Sequence, residues 1–112
     1  MKSGLITITC AWIILVLPMV VYAVSGWTAY ASVIELTSTG QGRYLVKLKV
    51  TDNPSGCKNK ETFYQDYGSS GSAQMFRILL EAVTAEKMVR VYVTGFCDID
   101  GYSEISSVSI VP

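Results

Sequence analysis

The chain has 112 residues, with nine basic and nine acidic side chains and no histidine, and half of its residues are hydrophobic. A neutral chain without a basic run lacks the charge pattern of a nucleic-acid-binding protein, and it lacks an electrostatic hold on anionic membranes. The absence of histidine removes the usual general base of an enzyme and a common zinc ligand.

The first 23 residues have the pattern of a secretory signal peptide. Lys2 precedes a nearly uncharged run over residues 5–24, whose end "VYA" offers the small residues that signal peptidase reads. We therefore expect cleavage after Ala23 and a secreted protein, periplasmic before any assembly. An uncleaved anchor is the alternative, because about 20 apolar residues can span a bilayer. Pro18 and the cleavage site favour the signal peptide.

The expected mature protein, residues 24–112, is one small domain whose hydrophobic core alone would be marginal. It keeps two cysteines, Cys57 and Cys97, and export makes a disulfide between them available. We predict that they pair, closing a loop of about 40 residues and stabilising the fold by about 3–4 kcal/mol. Cys10 lies in the signal segment and is expected to be removed with it.

Five strands and one helix are predicted in chain order. The strands cover residues 27–37, 44–51, 62–65, 89–94 and 106–111, where β-branched and aromatic residues are frequent or alternate with polar ones. The helix covers residues 73–86, with Phe76, Leu79, Leu80 and Val83 at the spacing of one apolar face. Ser70 or Ser72 is expected to cap its N-terminus. This order predicts a mainly β fold, a small five-stranded OB-fold barrel with the helix between strands 3 and 4.

The stretch "GFCDIDGYSEI", residues 95–105, combines a cysteine with three acidic residues. It has too few ligands for an EF-hand calcium loop. It also lacks the C-x-x-C of a redox site and the clustered ligands of a zinc site. We predict a turn, with Gly101 at positive φ and Cys97 tied to Cys57.

No catalytic centre, metal site or cofactor site is expected. The carboxylate pairs Glu35 with Glu61 and Asp98 with Asp100 are interpreted as solvated surface charges, because nothing places them in an apolar pocket. The chain is therefore interpreted as a binding protein rather than an enzyme. An enzyme would need a carboxylate dyad in a cleft, which the sequence does not show.

Tyrosines are numerous for so small a domain, and serines and threonines surround them. Tyrosine rings and hydroxyls together suit a polar ligand such as a sugar. The alternative is that Tyr44, Tyr64 and Tyr92 pack as ordinary strand residues at the barrel surface. The tyrosines considered are Tyr30, Tyr44, Tyr64, Tyr67, Tyr92 and Tyr102.

Two segments carry a family resemblance: "WTAYASVIEL" near the start of the mature chain and "AQMFRILLEAVTAEKMVRVYV" as the helix-to-strand unit. With one disulfide on a small OB barrel, the chain resembles the binding (B) subunits of subtilase-cytotoxin-like and pertussis-like bacterial toxins. The resemblance implies a ring of five identical subunits that docks a catalytic A subunit and binds cell-surface glycans, often sialylated. It also implies that Ser32, with Tyr30 beside it, contacts the sugar.

The helix face with Arg77, Glu81 and Thr84 is a candidate lining for the pore of such a ring, or an ordinary solvated face. Exposed strand edges in a small barrel can be protected by pairing with neighbours, and a head-to-tail contact that closes makes a ring. The alternative function is that of a monomeric exported OB-fold domain that binds a protein, as an adaptor or an inhibitor.

Overall fold

The computed structural model describes residues 24–112, so the predicted signal peptide lies outside the described range. Within this range the elements are β1 (Gly26–Trp27), β2 (Ala31–Ser38), β3 (Arg43–Leu48), β4 (Thr62–Asp66), α1 (Ser72–Ala85), β5 (Met88–Cys97) and β6 (Ser103–Ile110). The described helix is too short and too polar to cross a membrane.

Five of these strands form a closed ring. β3 lies between β2 and β4, β5 pairs antiparallel with β2 and β6, and a parallel pairing of β4 with β6 closes the barrel. The short strand β1 adds to β5 outside the ring. The predicted mainly β, five-stranded OB-fold barrel is confirmed, with α1 between the third and fourth strands of the ring.

The barrel interior is filled by the strand residues whose alternation predicted an inward face. Val46 and Leu48 of β3 have no exposed surface, and neither have Val89, Val91 and Val93 of β5. Successive side chains of a strand point to opposite faces, so the intervening residues of each strand lie outside. The helix packs against β2, β5 and β6 and covers this core.

The predicted apolar face of the helix is partly wrong. Leu79 is buried as expected, but Leu80 and Val83 are 46% and 42% exposed. The residues that face the barrel are Ser72, Met75, Leu79 and Ala82. The small side chains of Ser72 and Ala82 let the helix approach the strands closely. Leu80 and Val83 lie at the side of the helix that does not face the barrel.

The predicted serine N-cap is also wrong. Neither Ser70 nor Ser72 caps the helix, and the N-cap position is Gly71 with φ 79°. The Ser72 N–H donates to the Ser69 carbonyl, closing a tight turn directly before the helix. That turn requires a left-handed residue, which glycine adopts without steric cost, so Gly71 takes the position where a serine was expected.

The Cys57–Cys97 disulfide is confirmed, with 5.6 Å between the two Cα atoms. Cys97 ends β5, whereas Cys57 lies in the long loop between β3 and β4 rather than at a strand end. Hydrogen bonds join the same two regions beside it. The Asn59 N–H donates to the Gly101 carbonyl at 3.0 Å, and the Ser55 and Ser103 hydroxyls are 2.8 Å apart.

The predicted turn in "DIDG" is confirmed as well. One oxygen of the Asp98 carboxylate accepts hydrogen bonds from the N–H groups of Asp100 and Tyr102. Its other oxygen lies 2.6 Å from an Arg43 nitrogen. Gly101 has the expected positive φ, 84°, and a Cβ there would lie 2.7 Å from the Lys58 Cβ. The turn is therefore packed directly against the loop that carries Cys57.

Replacing Gly101 with alanine is expected to destabilise the protein more than replacing Gly42. Both residues have positive φ, but a Cβ at Gly42 would have no neighbour within 4 Å. We expect Gly42→Ala to cost about 1–2 kcal/mol for its left-handed backbone. Gly101→Ala is expected to cost at least about 1 kcal/mol more, because its Cβ also overpacks against Lys58. Urea unfolding of the two variants measures the difference, and equal losses would contradict the close packing of the turn.

Candidate functional site

Four side chains form a continuous patch on the outside of the barrel where β1 and β5 pair. We call the patch formed by Trp27, Tyr30, Arg90 and Tyr92 the aromatic–arginine surface. Trp27 and Tyr30 are 39% and 37% exposed, and Arg90 and Tyr92 are half-buried beneath them. Large exposed aromatic side chains next to a cation are typical of binding sites rather than of ordinary surface.

The segment between β1 and β2 places Tyr30 at this patch. Thr28 is buried and exchanges two hydrogen bonds with Val91 of β5, one from its N–H to the Val91 carbonyl and one to its hydroxyl from the Val91 N–H. The next N–H, of Ala29, donates to the Asp52 carboxylate at 3.1 Å. These contacts separate the predicted first strand into β1 and β2 and hold Tyr30 over Arg90.

Arg90 is in contact with both exposed rings. Its guanidinium carbon is 4.3 Å from the centre of the Trp27 ring and 5.1 Å from the centre of the Tyr30 ring. The Trp27 ring in turn meets Tyr92 edge to face, with 5.4 Å between ring centres. Cation–π contacts of this kind fix the plane of an arginine without neutralising its charge.

Among the described residues, Arg90 forms no salt bridge, since both ion pairs found there belong to Arg43. The Arg90 Nε is also buried without a hydrogen-bond partner. A buried donor left unpaired costs about 1–3 kcal/mol, and such groups in native structures call for an explanation. The buried Nε does not face solvent, but a rigid guanidinium without a salt-bridge partner is suited to bind a carboxylate.

Hydroxyl groups flank the patch. Ser107 and Ser109 of β6 lie directly opposite Tyr92 and Arg90 in the antiparallel register, so their side chains share the outer face. On the other side, the Tyr92 hydroxyl is 3.4 Å from the Ser25 hydroxyl. The surface therefore combines apolar rings, one cation and several hydroxyls within three neighbouring strands.

The two residues predicted to contact a glycan are close in the chain but lie in different surroundings. Tyr30 directly precedes β2 and Ser32 is its second residue; both are exposed, with buried Ala31 between them. Tyr30 belongs to the aromatic–arginine surface. Ser32 opens into a shallow groove of about 250 Å³ against the C-terminal end of α1, beside Val83 and Lys87.

Trp27, Arg90 and Tyr92 were not predicted as site residues. The alternation Val89–Thr94 already implies that Arg90 and Tyr92 point outward, and this is the signal in the sequence that could have identified them. Their contact with Trp27 depends on the pairing of β1 with β5, which joins residues 26–27 to residues 92–93. A register between segments so far apart cannot be obtained from periodicity.

Tyr44 points into the core, so the alternative that placed it at the barrel surface is wrong. Tyr64 lies opposite the outward-facing Leu45 and is covered by the Arg43 guanidinium, so it packs on the outer face of the barrel as that alternative had it. Both are at most 2% exposed. Burial raises the pKa of Tyr44 to about 12. Burial, and then the nearby Glu104 carboxylate, raise the pKa of Tyr64 to about 12. Neither ring is available to a ligand. Only the other tyrosines can therefore belong to a binding site.

The carboxylates of the two pairs considered in the sequence are exposed or are bound within the fold. Asp98 is bound to Arg43 and to the turn amides, so its carboxylate is used by the fold. Glu35 and Glu61 are exposed. No group of three or more metal-ligating side chains occurs in residues 24–112.

The raised pKa values predict a loss of stability at alkaline pH. An unfolded tyrosine ionises near pH 10, whereas Tyr44 and Tyr64 ionise in the folded protein only near pH 12. Ionisation therefore favours the unfolded state between these values, and the free energy of unfolding is expected to fall as the pH rises from 10 to 12. Tyrosinate absorbance and circular dichroism, followed together, measure this.

In that titration Tyr44 and Tyr64 are expected to ionise together with unfolding. Tyr44→Phe is a suitable comparison, because it removes one late-ionising group and keeps the ring. Ionisation of Tyr44 and Tyr64 near pH 10, with the fold intact, would contradict their burial.

Comparison with protein-family models, curated proteins and solved structures found no significant match for this chain. The chemistry of the aromatic–arginine surface is therefore the main basis for a function. Aromatic rings can stack on the apolar face of a sugar, hydroxyls can bond its polar groups, and an unpaired arginine adds a preference for an acidic one.

Proposed function

We propose that the protein is a secreted glycan-binding subunit and that the aromatic–arginine surface holds an acidic sugar, such as the sialic acid of a cell-surface glycan. The observation that carries this proposal is the guanidinium of Arg90, which contacts Trp27 and Tyr30 and forms no ion pair within residues 24–112. A sugar carboxylate would supply the missing counter-ion.

The proposed binding mode assigns one role to each group. The Arg90 guanidinium bonds the carboxylate, the exposed faces of Trp27 and Tyr30 pack on the C–H groups of the ring, and serine hydroxyls bond the sugar hydroxyls. Ser32 lies two residues after Tyr30 and is placed to contact a second sugar of the chain. Glycan binding at one such small site is weak, so several copies acting together would provide the affinity.

A glycan fits these observations better than a nucleic acid or an anionic membrane. The single guanidinium of this patch, in a chain with balanced charges, cannot provide the many phosphate contacts on which nucleic-acid affinity depends. One arginine is also too few, because proteins that bind anionic membrane surfaces do so through a cluster of basic residues. A single fixed carboxylate, in contrast, needs only one rigid arginine.

Substitution of Arg90 is expected to abolish binding of acidic glycans. We expect Arg90→Gln to weaken binding of sialylated glycans on an array by at least about tenfold, because the charge and the paired donors are lost. The Arg90→Lys protein should bind sialylated glycans more weakly than the original protein and more tightly than Arg90→Gln. Lysine keeps the positive charge but lacks the planar pair of donors. Tyr30→Ala should also weaken binding, and Ser32→Ala should do so for longer glycans.

The matched control is Arg77→Gln on the exposed face of α1, which removes one arginine far from the patch and should leave binding unchanged. Circular dichroism and the melting temperature check that each variant is folded. Retention of sialylated-glycan binding by a folded Arg90→Gln protein would contradict the proposal.

We further propose that the subunit acts within a ring that docks a catalytic A subunit, as the toxin resemblance implies. Two features support assembly. Leu80 and Val83 form an exposed apolar pair on the helix. β2 pairs with β5 only through Ala31 and Ser32, so the rest of that edge of β2 is open in the described part of the chain. Open strand edges and apolar patches are typical of subunit contacts.

The alternative of a monomeric adaptor or inhibitor rests on the same exposed pair, since a protein partner of another kind could cover it. In the ring, the exposed helix positions Arg77, Glu81 and Thr84 would line a pore. In the monomer they would be solvated. The mass of the protein in solution separates the two.

Light scattering after size exclusion is expected to give a homogeneous pentamer for the oxidised protein. Leu80→Glu should dissociate it, because a charge would be buried at an apolar contact. Gln74→Glu, at another exposed position of the helix, serves as the control for added charge. A strict monomer at all concentrations would contradict the ring and favour the adaptor or inhibitor.

A further inference from the structure

A second cavity lies away from the aromatic–arginine surface, where the end of β2 meets the first turn of α1. Its volume is about 300 Å³ and it opens to solvent on one side. Its walls come from β2, β3, the turn after β4 and the helix. The lining residues are Ser38, Tyr44, Tyr67, Ser72, Ala73 and Phe76.

The aromatic walls of this cavity are held in place from both ends. The Tyr44 ring is fully buried and meets Phe76 edge to face, with 5.1 Å between ring centres. Tyr67 is 43% exposed, yet its hydroxyl donates to the Thr39 carbonyl at 2.7 Å and lies 2.8 Å from the Ser38 hydroxyl. An exposed ring anchored at its tip cannot swing inward to fill the space, so the cavity is formed in advance.

The polar groups of the lining are largely used within the protein. The Tyr67 proton goes to Thr39, so the Ser38 hydroxyl donates to Tyr67, and the Tyr44 hydroxyl donates to the Ser72 carbonyl at 3.4 Å. The six lining residues include no acidic or basic side chain. A sugar would leave most of its hydroxyls unpaired here, which is costly. A charged ligand would find no counter-ion.

We propose that this cavity binds a neutral aromatic ring that carries at most one or two hydrogen-bonding groups. Apolar cavities of about 150 Å³ accept benzene, so the larger volume suits a two-ring system such as indole. Edge-to-face and offset contacts with Tyr67 and Phe76 would hold the ring. The remaining lone pairs of the Ser38 hydroxyl can accept a single N–H or O–H. This site is independent of the proposed glycan site in both position and chemistry.

The test is a titration of the full oxidised protein with indole, followed by amide shifts in two-dimensional NMR. Saturable shifts are expected at Tyr67, Ala73 and Phe76. Ala73→Leu places an apolar side chain at the cavity wall and should weaken indole binding by about tenfold or more. Ala85→Leu, the same substitution at the exposed end of the same helix, should change it by less than about twofold.

Two further probes define the ligand class. Methyl α-glucoside should cause no shifts at the cavity, and N-acetyltryptophan amide distinguishes a free small molecule from an aromatic side chain of a protein partner. Tighter binding of the amide than of indole assigns the ring to a protein, and tighter binding of indole assigns it to a small molecule. The absence of saturable indole binding, equal binding by the Ala73→Leu protein, or competition by the glucoside would each overturn the proposal.

Discussion

The structure depends on β5, the one described strand that pairs with three others. On one side it pairs with β6, and on the other with β2 at its start and with β1 farther along. Its inward valines, Val89, Val91 and Val93, fill the barrel. Its outward residues Arg90 and Tyr92 form the base of the aromatic–arginine surface. One period-2 alternation therefore provides both the core and the proposed binding face.

The loop that carries Cys57 is the least regular part of the barrel, and it is held by several contacts rather than by the disulfide alone. The buried side chains of Asn53, Ser55 and Ser103 form a hydrogen-bonded cluster beneath it. The same loop supplies Asp52, which holds the Ala29 N–H next to Tyr30. The covalent link and the proposed site are thus joined through one segment, and loosening of that segment is expected to reach the binding face.

Much of the fold was accessible from the sequence because its signals are local. Alternation in residues 44–50 and 89–94 identified inward faces, and the cysteine count with an expected export signal identified the disulfide. The bounds of the helix were predicted to within one residue. Its buried face was not predicted correctly, because Ser72 and Ala82 face the barrel on account of their small size rather than their hydrophobicity. The N-cap was missed because a tight turn before the helix demanded Gly71.

The candidate site could be predicted only in part, because the sequence shows local patterns but not long-range strand pairing. Tyr30 was identified as one of many tyrosines and through a family resemblance, whereas Arg90 and Trp27 come together only through a long-range strand pairing. The burial of Tyr44 likewise follows from barrel closure, and the Tyr64 ring is covered by Arg43 on the outer face. Tyrosine is common both inside and outside small domains, so composition alone cannot separate core rings from binding rings.

The late position of β5 in the chain has a consequence for how the protein is made. Three interactions join early segments to late ones: the pairing of residues 26–27 with residues 92–93, the Cys57–Cys97 disulfide and the pairing of β4 with β6. None can form until the later segment has been synthesised. Such long sequence separations make folding slow, because the chain loses conformational entropy on closing the loops before the contacts form that stabilise the fold. The first half of the chain therefore cannot close the barrel by itself, and the barrel is completed only when the last quarter of the chain has been synthesised.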